Sequence, residues 1–364
     1  LTLSAITKIP IHVSKIRAGR GGGHKAGGLK ESHLAALEVL AEECNAEVQG
    51  GYVGSKELLF EPAKQQHVQD PGSAEPRRRT IELQRPGSVW LILQALLPWY
   101  LLQSSRTELI LKGGTNVSSS MSADYVQQVL LPVLEKLIRS KVQVDVLQRG
   151  WAGNAPYIGE VKVSIQRPVL DAGADILKDG LQTWEAFTVL DHGTVSKLSL
   201  TIIAHPASLR AALLSCANSE ISLVFPNIDL EITSNEDSLD PRRLYLLLVA
   251  HTTTDWRLGR DYLGTGKKLN SQKEIDGLVE GAVGQVVQEL RREVDHGGCV
   301  DEYLQDQLVV FQALARGRSV VDAGGENGTL HAKTVRWVCG EVLGGLGLRN
   351  EKGGGCVGIG AGSG

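Results

Sequence analysis

The segment TELILKGGTN (107–116) runs an apolar stretch into a glycine turn. YVQQVLLPVLEKLI (125–138) then reads as a helix, and VQVDVLQRG (142–150) as a strand. The same order appears earlier. IPIHVSKIR (9–17) reads as a strand ending in basic residues, AGRGGGHKAGG (18–28) as a glycine-rich loop, and HLAALEVLAEEC (33–44) as a helix with Leu34, Leu37, Val39 and Leu40 on one face. Strands around EVQGGYV and KELLFEP follow. We read this recurrence as an internal repeat of roughly a hundred residues or a little less, the size of one domain. It implies helices packed on one face of small mixed sheets, an α+β or α/β arrangement.

The chain has 364 residues, more than one hydrophobic core usually serves. Residues from about 187 to 292 hold a complete set of elements of their own. VSKLSLTIIA reads as a strand, SLRAALLSCA as a helix, ISLVFPNIDLEI as one or two strands, RLYLLLVAHT as a strand and EIDGLVEGAVGQVVQELRREV as a long amphipathic helix. SNEDSLDPR (234–242) reads as a polar turn. The expected division is a core of repeated units over 1–186 and 293–364, with an inserted α/β domain over 187–292. DEYLQDQLVVFQALARG (301–317) returns to a strongly apolar helix, and the tail GGGCVGIGAGSG is low-complexity and expected to be disordered.

Composition narrows the classes of function. A net charge of −3 gives no global basic field, so any nucleic-acid contact must be a local patch. The apolar run VWLILQALLPWYLL (89–102) is shorter than a membrane span and broken by Gln94 and Pro98, so it reads as a buried helix. No basic region followed by an apolar segment opens the chain, which starts in mid-pattern as a fragment would. These features fit an intracellular protein. The five cysteines are scattered, odd in number and without CxxC spacing, so free thiols are expected and a zinc site is not.

The phosphate-loop patterns fail. GTGKK (264–268) has Asp261 where the loop glycine belongs and Lys268 where Ser or Thr belongs. KGGTN (112–116) suits either a tight left-handed turn or backbone approach to an anion. Arg17 and Arg20 at a strand end suit phosphate, or are simply solvated, and His33 lies just beyond them. Tyr303, Asp306, Gln307 and Val310 share one helical face beside the stripe Leu304, Leu308 and Phe311. In so apolar a helix, Asp306 and Gln307 need partners. His331 opens the stripe His331, Val335, Val338, Val342. It is either a satisfied core histidine or a first-turn side chain facing a cleft, and spacing does not choose.

Several segments do identify a family. KIRAGR, HLAALEVLAEECNAEVQGGYVGSKELLFEP, PGSVWLILQALLP, LKGGTN with DYVQQVLLPVLEKL, HGGCVDEYLQDQLVVFQALARG and TLHAKT resemble, in that order, the RNA 3'-terminal phosphate cyclases. The likeness is strongest at 296–317 and 9–60 and weakest in 151–290. It implies three repeats of a four-stranded sheet with two helices, plus a smaller inserted α/β domain. It also implies a ligase reaction in which a histidine takes AMP from ATP, passes it to an RNA 3'-phosphate, and a 2'-hydroxyl then displaces AMP to leave a 2',3'-cyclic phosphate. The family's nucleophile falls on His331 and its ATP contacts on Gln94, Tyr303, Asp306 and Gln307. Its basic pair falls on Arg17 and Arg20, and His33 matches the histidine after that loop, all three toward phosphate. The resemblance implies ATP with Mg2+ (or Mn2+), an RNA partner bearing a 3'-phosphate, no membrane, no stable protein partner, and nuclear placement by analogy with eukaryotic members. No protein-only metal site is expected. The family's opening strand and Glu-Gly-Gly-Gly-Gln loop have no match here, the loop after Arg20 is longer, Ser32 replaces a glutamine, Met121 replaces a proline, and APYIGE (155–160) replaces a glycine triplet. The alternative is a truncated chain or a catalytically inactive cyclase-like protein acting in ribosome biogenesis or RNA processing. The cyclase-like subfamily lacks the nucleophilic histidine, which this chain retains.

Overall fold

The computed structural model describes residues 1–19, 27–64, 75–103, 105–166, 183–268, 270–324, 329–343 and 355–358. It opens with α1 (Thr2–Thr7), β1 (Ile11–Val13), α2 (Glu31–Cys44), β2 (Glu47–Gln49) and β3 (Leu58–Glu61). The strands form an antiparallel sheet in the order β1-β3-β2. The strand expected over 9–17 is shorter because Lys15 and Arg17 adopt left-handed backbone (φ 56° and 50°), which no strand accommodates. Helix α2 buries Leu37 and Leu40 completely and ends at Asn45 in the left-handed conformation.

The second unit contains β4 (Arg77–Glu82), α3 (Val89–Leu101), β5 (Thr107–Gly113), α4 (Ala123–Tyr125), α5 (Leu131–Ile138), β6 (Lys141–Gln148) and β7 (Gly159–Gln166). Its sheet order is β4-β5-β7-β6, with β4 parallel to β5 and the other pairs antiparallel. Between α4 and α5, Val126–Leu130 form a π turn directly ahead of Pro132, which has no N–H to give to a standard helical turn. Ser88 caps α3, its Oγ accepting from Trp90 N at 3.1 Å, and Trp90, Leu96 and Leu101 fill the core beneath. Gly150 lies against the KGGTN turn: a Cβ there would sit 2.1 Å from Gly113 O.

The chain then forms β8 (Thr188–Val189), followed by β9 (Val195–Ala204), α6 (Ala207–Val224), β10 (Asp229–Asp237), β11 (Leu244–Thr252), β12 (Arg257–Leu263) and α7 (Gln272–His296). The order β10-β9-β11-β12 makes a four-stranded sheet, with β10 parallel to β9. ISLV (221–224), expected in a strand, instead completes α6 with Phe225 as its cap, because Leu209, Leu213, Ala217 and Ile221 continue one four-residue stripe into the core. Ser234–Asp237, expected in a turn, extend β10.

The last elements are α8 (Glu302–Leu314), β13 (Arg318–Val321), α9 (Leu330–Val342) and β14 (Gly355–Val357). β13 pairs in parallel with β8 and antiparallel with β14. Thr188 and Val189, just past the expected division at 187, thus pair with β13 rather than with the sheet of β9 to β12. Three residues of the glycine-rich tail, expected to be disordered, are held as β14.

Two hydrophobic clusters share the inserted sheet. Leu244, Leu246, Leu248 and Ala250 of β11 face α6 and α7, whereas Tyr245, Leu247 and Val249 join the core of the repeated units. β11 reads as an unbroken apolar run because both its faces are covered. Helices α8 and α9 pack on each other, α3 packs on α8, and α1 contacts α2, α3 and α9. The helices bearing the candidate residues are thus neighbours.

Candidate active site

Helix α9 starts where Thr329 caps it, Oγ1 accepting from Ala332 N at 3.0 Å. His331 sits in the first turn with its side chain 85% exposed. It is not a core histidine. The buried stripe of α9 is Ala332, Arg336 and Cys339, one position away from the apolar stripe expected from the sequence, and Val338 is exposed. Arg336 interrupts the apolar pattern on the buried face, which is why periodicity placed that stripe one residue off.

His331 Nδ1 lies 3.3 Å from Asp306 Oδ2 on α8. The other Asp306 oxygen accepts from Gln307 Nε2 at 2.7 Å. Asp306 is largely buried, and burial raises its pKa, while Gln307 and His331 pull it back down. The partners that Asp306 needed are thereby identified. An imidazole held through Nδ1 carries its proton there in the neutral state and leaves Nε2 as the lone-pair nitrogen. The amino-terminal end of α9, the positive end of its dipole, favours negative charge beside it.

Tyr303 stands about one turn earlier on α8 and is 42% exposed. Its ring meets Tyr125 edge-on at 6.2 Å and carries the Arg260 guanidinium over its face at 4.4 Å. Asp301 caps α8 and anchors this end: it accepts from Tyr303 N (3.1 Å), Leu304 N (2.9 Å), Gly259 N (2.8 Å) and the Tyr125 hydroxyl (2.6 Å). Gln94 is exposed on α3, the helix packed against α8.

Arg17 and His33 form a second constellation, in the first unit. Half-buried Arg17 donates through Nη1 to Gly28 O at 3.0 Å. His33 Nδ1 accepts from Lys30 N at 3.2 Å, so its Nε2 carries the proton. Burial lowers the His33 pKa, and Arg17 and Lys30 lower it further. Arg20 lies outside the described residues. Among the described residues no three His, Cys, Asp or Glu side chains converge as a metal site. Cys44, Cys216, Cys299 and Cys339 are free thiols. No described helix is long and apolar enough to cross a membrane.

Sequence reading missed Arg260 and Tyr125. The available signal was the Arg260-Asp261 pair in RLGRDYL, since charges carried into a sheet require partners. Those partners, Glu293 and Glu302, lie over thirty residues away in sequence.

Comparison with known proteins identifies the family. A family model described as RNA 3'-terminal phosphate cyclase matches residues 1–345. Curated proteins of that name from Pyrococcus furiosus (30% identical, 96% of this chain and 92% of the relative), Pyrococcus abyssi (29%, 94% and 88%) and Drosophila melanogaster (29%, 94% and 86%) are similar over most of their lengths. The chain belongs to the RNA 3'-terminal phosphate cyclase family.

Proposed function

We propose that this chain is an ATP-dependent ligase that converts an RNA 3'-terminal phosphate to a 2',3'-cyclic phosphodiester, using His331 as its nucleophile. The observation that carries this reading is the exposed imidazole of His331, oriented by Asp306 at 3.3 Å in the first turn of a helix. His331 Nε2 attacks the α-phosphorus of ATP, a phosphorus–nitrogen bond forms, and the bond to the bridging oxygen breaks to release pyrophosphate. Asp306 balances the positive charge that the ring gains in this step. An oxygen of the RNA 3'-phosphate then attacks the same phosphorus, and the ring leaves as a neutral imidazole. Finally the vicinal 2'-hydroxyl attacks the 3'-phosphorus, AMP departs and the hydroxyl proton is lost to solvent.

Tyr303 and Gln307, with Gln94 on the neighbouring helix, hold the nucleotide in this reading. Arg17 and His33 receive phosphate charge, and Arg20 joins them by resemblance. A divalent cation, Mg2+ or Mn2+, enters bound to the ATP phosphates rather than in a protein-only cage, as such ions usually do with nucleotides. The substrate places the protein where RNA ends are processed, and the eukaryotic members suggest the nucleus.

The test is incubation with magnesium and ATP labelled at the α-phosphate. Label should appear on the protein, be acid-labile and vanish in His331→Ala. An unlabelled wild-type protein would sink the adenylation step. Labelled protein that leaves an RNA 3'-phosphate uncyclised would point instead to a chain that folds and takes AMP but does not complete the later steps.

A further inference from the structure

Arg260 stands on β12 of the inserted unit, yet its guanidinium leaves that unit. Its side chain is 4% exposed. Nη2 pairs with Glu293 of α7 and, at 3.2 Å, with Glu302 of α8. The guanidinium carbon stands over the ring of Tyr303, 4.4 Å from its centroid, and Nη1 is buried with no hydrogen-bond partner among the described residues. A buried arginine normally satisfies its whole donor fork. This one gives up part of that fork to lie across an aromatic face. The next residue back, Gly259, hydrogen-bonds the α8 cap Asp301, and a Cβ there would come within 2.9 Å of Val129 and 3.0 Å of the Tyr125 ring. Two consecutive residues of β12 therefore grip the end of α8 that carries Tyr303.

We propose that Arg260 is a positioning residue for nucleotide binding, through which the inserted unit sets the orientation of Tyr303. The proposal rests on the functional reading above, in which Tyr303 touches ATP. Arg260 touches no reacting atom. It holds one face of the ring while the edge-on contact from Tyr125 fixes its tilt, leaving the exposed part of the ring for the nucleotide. A lysine at 260 keeps the charge but loses the planar stack and the fork.

The test is calorimetric titration with an ATP analogue carrying a methylene bridge between the α and β phosphorus atoms, beside α-phosphate labelling. Arg260→Lys should weaken analogue binding about tenfold. The labelling rate at saturating ATP should stay within about twofold of wild type, a split that general loss of structure does not produce. Tyr303→Ala should weaken binding similarly, and Arg260→Lys added to it should weaken it no further. Unchanged binding in Arg260→Lys, or losses that multiply in the double variant, would overturn the proposal. If Arg260→Lys does not fold, Glu302→Gln decides, because Glu302 is half-exposed: weakened binding supports the proposal and unchanged binding overturns it. Wild-type protein that binds the analogue but takes no label removes the adenylation reading and leaves this inference to the binding data. Wild-type protein that does not bind the analogue overturns both.

Discussion

At the scale of single residues, the hydrogen-bonded imidazole makes a kinetic demand. Asp306→Asn keeps the shape of the site but cannot balance a charged ring. It should slow labelling of His331 by on the order of a hundredfold, with little change in the ATP concentration for half-maximal rate. Single-turnover labelling across ATP concentrations checks this. Asp261 offers a second test. Burial raises its pKa from the ordinary 3.8 to about 6, against the hydrogen bond it receives from the Tyr245 hydroxyl at 3.0 Å. The folded state keeps this proton longer than the unfolded chain does. Its stabilising contribution is thus present below about pH 4 and lost as pH rises through about 6. Asp261→Asn, which stays neutral, should melt at a higher temperature than wild type at pH 8 and at nearly the same temperature at pH 4. The individual site residues were legible to different degrees. The TLHAKT segment marked His331, and the need of Asp306 for a partner was visible in so apolar a helix. The joining of the two was not, because their contact spans separate helices and no local period encodes it.

Among elements, the amino-terminal end of α8 depends on a single buried carboxylate. Asp301 accepts hydrogen bonds from Tyr125, Gly259, Tyr303 and Leu304, which tie α8 to the second unit and to the insert. Asp301→Ala leaves these donors without an acceptor and should cost at least about 2 kcal/mol, measured by urea unfolding. The expected strands and helices formed where one pattern dominated, as in β5, α2 and α7. They failed where two patterns competed. The branched and aromatic residues of ISLVF suggested a strand, but the four-residue stripe through Ile221 was stronger in the folded chain. Conversely, IPIHVSKIR had strand composition throughout but strand backbone only at Ile11–Val13, because its basic end turns through two left-handed residues.

For the whole molecule, the two hydrophobic clusters meet on opposite faces of one sheet, so the units should not melt apart. Calorimetry should show one cooperative transition, with calorimetric and van't Hoff enthalpies equal; two resolved transitions would contradict this. The mixture of helices with several small sheets was readable from the order of elements. The meeting of the two clusters on β11 was not, since a strand buried on both faces looks alike whether its two coverings belong to one domain or to two. β11 therefore has an engineering consequence. Its residues alternate in allegiance, Leu246 to the insert's helices and Leu247 to the repeated units. A chimera that exchanged this unit for a foreign one would have to match an apolar surface on the host, not merely two chain ends. Excision of this unit would strip Tyr245, Leu247 and Val249 from the larger core and expose what they cover.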